Sequence, residues 1–410
     1  MHSDHAIIIG ASHAGAQLAT ALRQQGWGGA ITLIGDEPSP PYQRPPLSKE
    51  YLAGKRDAEH LLIRPAELYA KHDIQLRTGC RVIAIDRAAR EVELGSGERL
   101  GYSKLGLCTG ARVRPIEVPG AGLEGVCYLR TRADVERIRQ RVTPGGKAVI
   151  VGGGYIGLET AASLRQLGMQ VWVLEMMGRV LARVTAPPVS DFYRRYHEQQ
   201  GVNLELNCQV QAFEGGARVE RVQCLDGRCF DADLVVVGIG VIPNQELASE
   251  TGLEVANGVV VDACGQTSDP DIVALGDCCQ QPNPYAAAPI RLESVPSAME
   301  QARCAAATLC GHPTPNTSLP WFWSDQYDLK LQIAGLNSHY DQVVLRGDPD
   351  SASFVAWYLK QGKLLAADCI NRPKEFMVAK QLIGRGGEVD AEQLADEQVA
   401  PKALLADPTQ

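Results

Sequence analysis

Residues 147–157 read Lys-Ala-Val-Ile-Val-Gly-Gly-Gly-Tyr-Ile-Gly, an apolar run that breaks into Gly152, Gly154 and Gly157. A short β-branched run bounded by glycine predicts a strand, and the G-x-G-x-x-G spacing predicts a tight turn into a helix. That helix is expected over Leu158–Leu167, followed by a strand Val171–Leu174 that ends at Glu175. In such a unit the first glycine makes the turn and the second lets a pyrophosphate approach the backbone. The third lets helix pack on strand, and the helix N-terminus supplies positive potential. The glycine spacing alone is a weak signal; strand, helix and terminal acid in register make it a strong one. Glu175 is placed to accept hydrogen bonds from an adenosine ribose and to repel a 2′-phosphate, which favours NADH over NADPH. Tyr155 and Ile156 lie inside the turn. Arg179 and Arg183 follow closely and would pull the preference the other way.

The same unit stands earlier in the chain. The run Ala6–Ile9 leads into Gly10-Ala11-Ser12-His13-Ala14-Gly15, a helix to about Gln25, and a strand Ala30–Ile34 closing at Gly35-Asp36. Ser12 occupies the second glycine position, and Asp36 supplies the acid one residue late. Serine is small enough to keep the backbone approachable, although an ordinary strand-to-helix turn is an alternative for this unit alone. An architecture repeated in this way predicts an α/β fold with two Rossmann-like dinucleotide-binding domains on parallel sheets.

A third apolar strand, Leu234–Val237, ends at Gly238-Ile239-Gly240 and is followed by Pro243-Asn244. The proline-rich stretch from Pro38 to Pro46 excludes regular helix or central strand and must be a structured loop. Gly276-Asp277 follows the run Ile272–Leu275, where an aspartate can hold a ribityl hydroxyl. Val295-Pro296-Ser297 then opens a helix through Arg303, whose positive end can stabilise charge on a reduced cofactor. From about Trp321 the chain turns aromatic and β-like, with Trp321-Phe322-Trp323 and Ser353–Leu359. That predicts a small α+β C-terminal domain, with the polar last twenty residues frayed.

Composition narrows the field. A chain of 410 residues needs two or three domains. A formal charge of −8 argues against general nucleic-acid binding. The arginines between Arg130 and Arg141 read as a solvated helix face, or else as a local patch for an acidic partner. No apolar run reaches the roughly 18 residues that span a bilayer, and no secretory signal is evident, so a cytoplasmic location is expected. The twelve cysteines show no C-x-x-C pattern and no metal-ligand spacing. Cys224 and Cys229 could pair as a redox disulfide, or simply face each other across the Asp226-Gly227 hairpin turn. Cys278-Cys279 reads as packing.

Longer phrases carry a resemblance. These are Arg44-Pro45-Pro46-Leu47-Ser48-Lys49, Cys108-Thr109-Gly110, Ala186-Pro187-Pro188-Val189-Ser190, Glu293-Ser294-Val295-Pro296, Trp321-Phe322-Trp323-Ser324-Asp325-Gln326-Tyr327 and Asn371-Arg372-Pro373. With the two Rossmann units they resemble the FAD-dependent NADH:ferredoxin reductases, the putidaredoxin and rubredoxin reductase group, over residues 6 to 380. The resemblance implies a glutathione-reductase-like two-dinucleotide flavoprotein. Its FAD domain is expected at 1–112 and 243–320, its NADH domain at 113–242 and its α+β domain at 321–410. It places FAD against Gly10, Ser12, Ala14, Gly15, Asp36, Lys49, Val82, Arg130, Asp277 and Val295. NADH falls on Gly152, Gly154, Tyr155, Ile156, Gly157, Glu159, Glu175 and Arg183.

By the same resemblance Lys49 and Glu159 form an ion pair beside the reacting ring, against the alternative that Lys49 is an exposed loop lysine. Trp323, which alternates with Trp321 on one strand face, shields the flavin or packs the core. Arg64 and Arg303 match basic positions where a small acidic ferredoxin would dock. Neither a dithiol after the first glycine loop nor a cysteine near Tyr42 is present, so direct hydride transfer from NADH to flavin is expected, with no protein nucleophile. Single electrons would then pass to a ferredoxin, or a rubredoxin, serving a cytochrome P450 or ring-hydroxylating dioxygenase. Two readings compete: a reductase of monodehydroascorbate or a quinone, and a non-enzymatic NADH-sensing flavoprotein similar to apoptosis-inducing factor.

Overall fold

A computed structural model describes residues 4–406, which fall into two compact units. The first comprises the chain up to Gln43 with Ala58–Arg112 and Ile242–Pro320. Its centre is a parallel sheet in the order Ile272–Ala274, Lys104–Leu107, His5–Ile9, Ala30–Ile34, Ile74–Arg77. The inner strands are mostly apolar because both faces are covered, whereas the edge strand Ile74–Arg77 carries Gln75 and Arg77. Ile8 packs against the helices His13–Gln24 and Val295–Leu309, among Leu18, Leu22, Ala302 and Ala306. Ile7 and Ile9 point the other way, into a second core with Val92, Leu105 and Val259.

The second unit comprises Arg44–Asp57, Val113–Val241 and Trp321–Gln410. It holds a parallel sheet in the order Val202–Glu205, Gln170–Leu174, Lys147–Val151, Leu234–Val237, Val126–Tyr128. It also holds an antiparallel sheet in the order Trp321–Gln326, Leu329–Gly335, Lys363–Ile370, Phe354–Lys360, Gln342–Arg346. The helix Pro373–Arg385 packs on that second sheet. The segment 44–57, which follows most of the proline-rich stretch, clusters with the second nucleotide sheet and the C-terminal sheet, while residues 38–43 belong to the first unit.

Three expectations need correction. The helix after the second glycine turn spans Tyr155–Gln166, beginning inside the motif, because Gly154 is itself the N-cap. The helix opened by Val295 continues past Arg303 to Leu309. The C-terminal tail is not frayed over its described part: it forms the helix Ala391–Ala395 and a 3₁₀ turn Pro401–Leu405, with Leu394 and Leu404 buried. Buried Arg346 reaches it from the antiparallel sheet, donating to the carbonyl oxygens of Asp396 (2.6 Å) and Val399 (2.5 Å). Polarity hid a segment held by its backbone carbonyls.

One buried acid couples this sheet to pH. Asp368 is fully buried; Tyr358 donates to its Oδ2 at 2.5 Å and accepts from the backbone N–H of Ala186 at 2.9 Å. Burial pushes the Asp368 carboxyl up to about 7, against the partial help of that hydroxyl. A raised native pKa means that the folded state holds the proton more tightly than the unfolded one. The contribution is fully present below the unfolded value of about 4 and is lost as pH rises through about 7. Asp368→Asn should therefore flatten the decline in melting temperature across that interval. Equal declines in both proteins would refute this assignment.

Candidate nucleotide sites and the buried ion pair

In the second unit the three glycines do different work. Gly152 has φ +108°, and a Cβ there would lie 2.4 Å from the carbonyl oxygen of Gly238. A Cβ on Gly157 would lie 2.0 Å from the carbonyl oxygen of Gly152. These two are required by the protein's own packing. Gly154 is different: it has ordinary extended backbone, φ −82° and ψ −178°, and no atom lies within 4 Å of its Cβ direction. Its lack of a side chain keeps open the space where the fingerprint puts a pyrophosphate.

The helix that starts there has no acidic residue in its first turn, so its unpaired N–H groups and dipole are left to an anion. Glu175 accepts from the backbone N–H of Gly153 (2.7 Å, Oε2) and of Met177 (2.8 Å, Oε1), which fixes the acid beside the turn with lone pairs to spare for a ribose. Arg179 is spent on its own loop, donating to the carbonyls of Thr185 and Ala182 and to Ser190 Oγ. Arg183 is exposed, as is Ile156 at 45%. The Tyr155 ring packs 5.0 Å from that of Phe322, and burial raises its hydroxyl pKa well above the usual tyrosine range.

The first unit repeats the device. Gly10 has φ +112°, with a Cβ position 2.0 Å from the carbonyl oxygen of Cys108; that of Gly15 is 2.0 Å from the oxygen of Gly10. Ser12 caps the helix His13–Gln24 with extended backbone (φ −128°), a conformation serine adopts freely, and again no acid follows in the first turn. Asp36 is exposed just past the strand Ala30–Ile34, and Val82 is buried in the core that includes Ile34 and Leu94.

Gly276 (φ +79°) approaches Ala14 so closely that a Cβ would meet Ala14 Cβ at 3.0 Å. Its N–H donates to Gln301 Oε1 at 2.8 Å, which ties Asp277 and the glycine loop to the helix begun by half-buried Val295. Thr109 and Asn244 bind each other's backbone through both side chains.

Lys49 is not a loop lysine in solvent. Its Nζ lies 2.8 Å from Glu159 Oε2, with the side chains 12% and 2% exposed, and also donates to the carbonyl of Pro45. The short 3₁₀ helix Pro45–Ser48, stiffened by two prolines, delivers it. Glu159 stands in the helix begun by Gly154, little more than one turn from its start. Ser48 Oγ donates to Glu159 Oε2 at 2.5 Å and Ser324 Oγ to Oε1 at 2.6 Å.

The remaining candidates divide. Trp323 and Trp321, ring centroids 5.7 Å apart, line a 530 Å³ cleft with Asp325, Lys330, Gln332, Asn371 and Pro373. The backbone carbonyl of Arg130 accepts from Arg44 at 2.8 Å. Arg64 lies against the buried Tyr69 hydroxyl, and Arg303 is exposed and pairs with Glu300. Of the arginines in 130–141, Arg132 meets Glu136 and Arg137 meets Asp134 on the helix Arg132–Arg139, Arg139 donates to the carbonyl oxygens of Tyr51 and Leu52, and Arg141, beyond the helix, meets Glu124.

All twelve cysteines are free. Cys224 and Cys229 do not face each other, because the strands pair Gln223 with Cys229; Cys224 is buried against Cys208 instead, at 3.2 Å. Cys278 and Cys279 are buried, and burial raises both thiols. Ser48, Ser324 and Gln301 were not singled out from sequence. Ser48 and Ser324 sit inside the quoted phrases, but nothing local marks Ser324 as the partner of an acid 165 residues away.

Two strand–turn–helix units, each with a glycine turn and no acid in the first turn of its helix, are the pattern of a two-dinucleotide fold. The chain belongs to the pyridine nucleotide-disulphide oxidoreductase family, whose model matches residues 4–302; a reductase C-terminal model matches 321–405. Putidaredoxin reductase of Pseudomonas putida is 44% identical, covering 98% of this chain and 97% of the relative. Two solved structures each match with a TM-score of 0.95. One is a covalent putidaredoxin reductase–putidaredoxin complex, 44% identical with 98% of each chain covered. The other is the ferredoxin reductase for the CYP199A2 system of Rhodopseudomonas palustris, 42% identical with 98% of this chain and 100% of that one covered. Among the described residues no helix is long and apolar enough to cross a membrane.

Proposed function

We propose that the chain is an FAD-dependent NADH:ferredoxin oxidoreductase. Electrons leave it singly for a small acidic iron–sulfur protein, a 2Fe–2S ferredoxin or a rubredoxin, that serves a cytochrome P450 or a ring-hydroxylating dioxygenase. The observation that carries the reading is the helix Tyr155–Gln166, which has an open cradle at its start and the buried Glu159–Lys49 pair little more than one turn further on. When bound, FAD accepts a hydride from NADH and releases electrons one at a time, the conversion that a one-electron acceptor needs.

The chain's own part is binding, orientation and exclusion of water. Gly10, Ser12, Ala14 and Gly15 would hold the FAD pyrophosphate, Asp36 and Val82 the adenosine end, and Asp277 the ribityl chain. Val295, at the positive end of its helix, would face the flavin pyrimidine edge, with Arg130 and Trp323 as further contacts. Gly152, Gly154, Tyr155, Ile156 and Gly157 would hold the NADH pyrophosphate and Glu175 its ribose, with Arg183 at the rim. Lys49 and Glu159 are assigned to the reacting rings, and Arg64 and Arg303 to acceptor docking. We assign FAD to 1–112 with 243–320, NADH to 113–242, and the α+β region to 321–410. A cytoplasmic location suits twelve cysteines that are all free.

The test is anaerobic reduction with NADH, followed by cytochrome c reduction with and without added 2Fe–2S ferredoxin. Strong ferredoxin dependence is expected. Fast turnover unchanged by ferredoxin would instead indicate a reductase of small-molecule acceptors. The NADH preference rests on Glu175, since Arg179 is committed to its loop. Glu175→Ala should narrow the NADH-to-NADPH ratio of kcat/KM by roughly tenfold, the worth of a charge-assisted ribose hydrogen bond. An unchanged ratio would move the selectivity elsewhere.

A further inference from the structure

The Lys49–Glu159 pair is held by more than its own attraction. A buried chain runs from Glu159 Oε1 to Ser324 Oγ (2.6 Å), from Ser324 Oγ to Gln326 Nε2 (3.2 Å), and from Gln326 Oε1 to His197 Nε2 (2.7 Å). Ser324, Gln326 and His197 are 0%, 1% and 0% exposed. Proton bookkeeping fixes the direction of this chain. The Gln326 carbonyl can only accept, so His197 donates from Nε2 as a neutral ring; burial lowers its pKa to about 4. The Gln326 amide then donates to Ser324 Oγ, and the serine proton has one remaining target, Glu159 Oε1. With the amide reversed, Ser324 would donate to Gln326 and its oxygen would face the carboxylate with no proton between them.

The polarised chain thus delivers one donor to Oε1, while Ser48 and Lys49 occupy Oε2. Ser163 in turn fixes Ser48, donating to its carbonyl oxygen at 2.7 Å. A carboxylate with both oxygens bound from opposite ends has one rotamer left. Glu159 and Ser324 also belong to different stretches of chain, one in the nucleotide helix and the other in the first strand of the C-terminal sheet.

We propose that Ser324 is a positioning residue for NADH: through Glu159 it makes the geometry of the nicotinamide site depend on the C-terminal sheet. This rests on the assignment of Glu159 to the reacting rings. Ser324→Val and Ser324→Thr are nearly isosteric, and only the threonine keeps the hydroxyl. With Ser324→Val, NAD+ should bind about fivefold more weakly by calorimetry, the worth of one hydrogen bond. Flavin reduction at saturating NADH should slow by roughly tenfold. Ser324→Thr should keep both values near wild type.

If Val and Thr both match wild type, or both lose equally, the hydroxyl has no positioning role and the inference falls. Glu159→Gln is measured alongside. Wild-type behaviour in that variant would overturn the assignment of Glu159 itself, whereas an impaired Glu159→Gln with a normal Ser324→Val would overturn only the role of Ser324.

Discussion

Replacing Gly154 by leucine should give a folded, FAD-containing protein that NADH reduces only poorly, with KM for NADH raised by about a hundredfold or more. The backbone there is extended and nothing lies within 4 Å of a Cβ placed on it, so a side chain can start there without strain or backbone clash. The cost in stability is confined to the change of N-cap residue, about 1 kcal/mol or less. What the side chain fills is the approach of an anion to the helix N-terminus, where the exposed N–H groups and the dipole act together. Gly152→Ala makes the contrast. It forces a Cβ to 2.4 Å from a carbonyl oxygen at φ +108°, so it should damage the fold of the turn rather than block it. FAD content, melting temperature and KM for NADH separate the two outcomes. A normal KM in Gly154→Leu would mean that the pyrophosphate does not pass this position.

The parts of the molecule legible in the sequence are those that local packing dictates. Ala30–Ile34, Lys147–Val151 and Leu234–Val237 match their sequence readings to the residue, because a strand covered on both faces is dominated by apolar residues and stops where glycine or a turn begins. The position of Glu175, the acid proposed for the ribose, was equally plain, since it directly follows such a strand. Parity failed at Cys224 and Cys229: one residue of register decides whether two cysteines share a face, and the Asp226-Gly227 signal does not fix that register. The tail failed because its anchor, Arg346, lies about fifty residues upstream and binds carbonyls that every sequence possesses. The donors to Glu159 are the sharpest case. A serine is among the commonest surface residues, and only the pairing of Trp321–Gln326 into its sheet and the packing of the helix Tyr155–Gln166 against that strand give Ser324 a carboxylate to bind.

The ion pair itself yields the second large effect, and a double substitution separates its two roles. Lys49→Met should cost about 3–5 kcal/mol, because it leaves Glu159, 2% exposed, as a buried charge without its counter-ion. Adding Glu159→Gln removes that charge while keeping the size of the side chain, and most of the lost stability should return. Activity should not follow. If the pair acts on the charge that moves during hydride transfer, neither neutral residue can replace it, and the double variant should reduce its flavin about a hundredfold more slowly than wild type, as each single variant does. The measurements are a thermal or denaturant midpoint for each corner of the cycle and the anaerobic rate of flavin reduction at saturating NADH. Rates that recover together with stability would show the pair to be a strut for the proline-rich segment and the nucleotide helix, with hydride transfer indifferent to its charge. Stability that recovers while the rate stays low would place the two charges at the reacting rings, where the fold alone gives no reason to bury them.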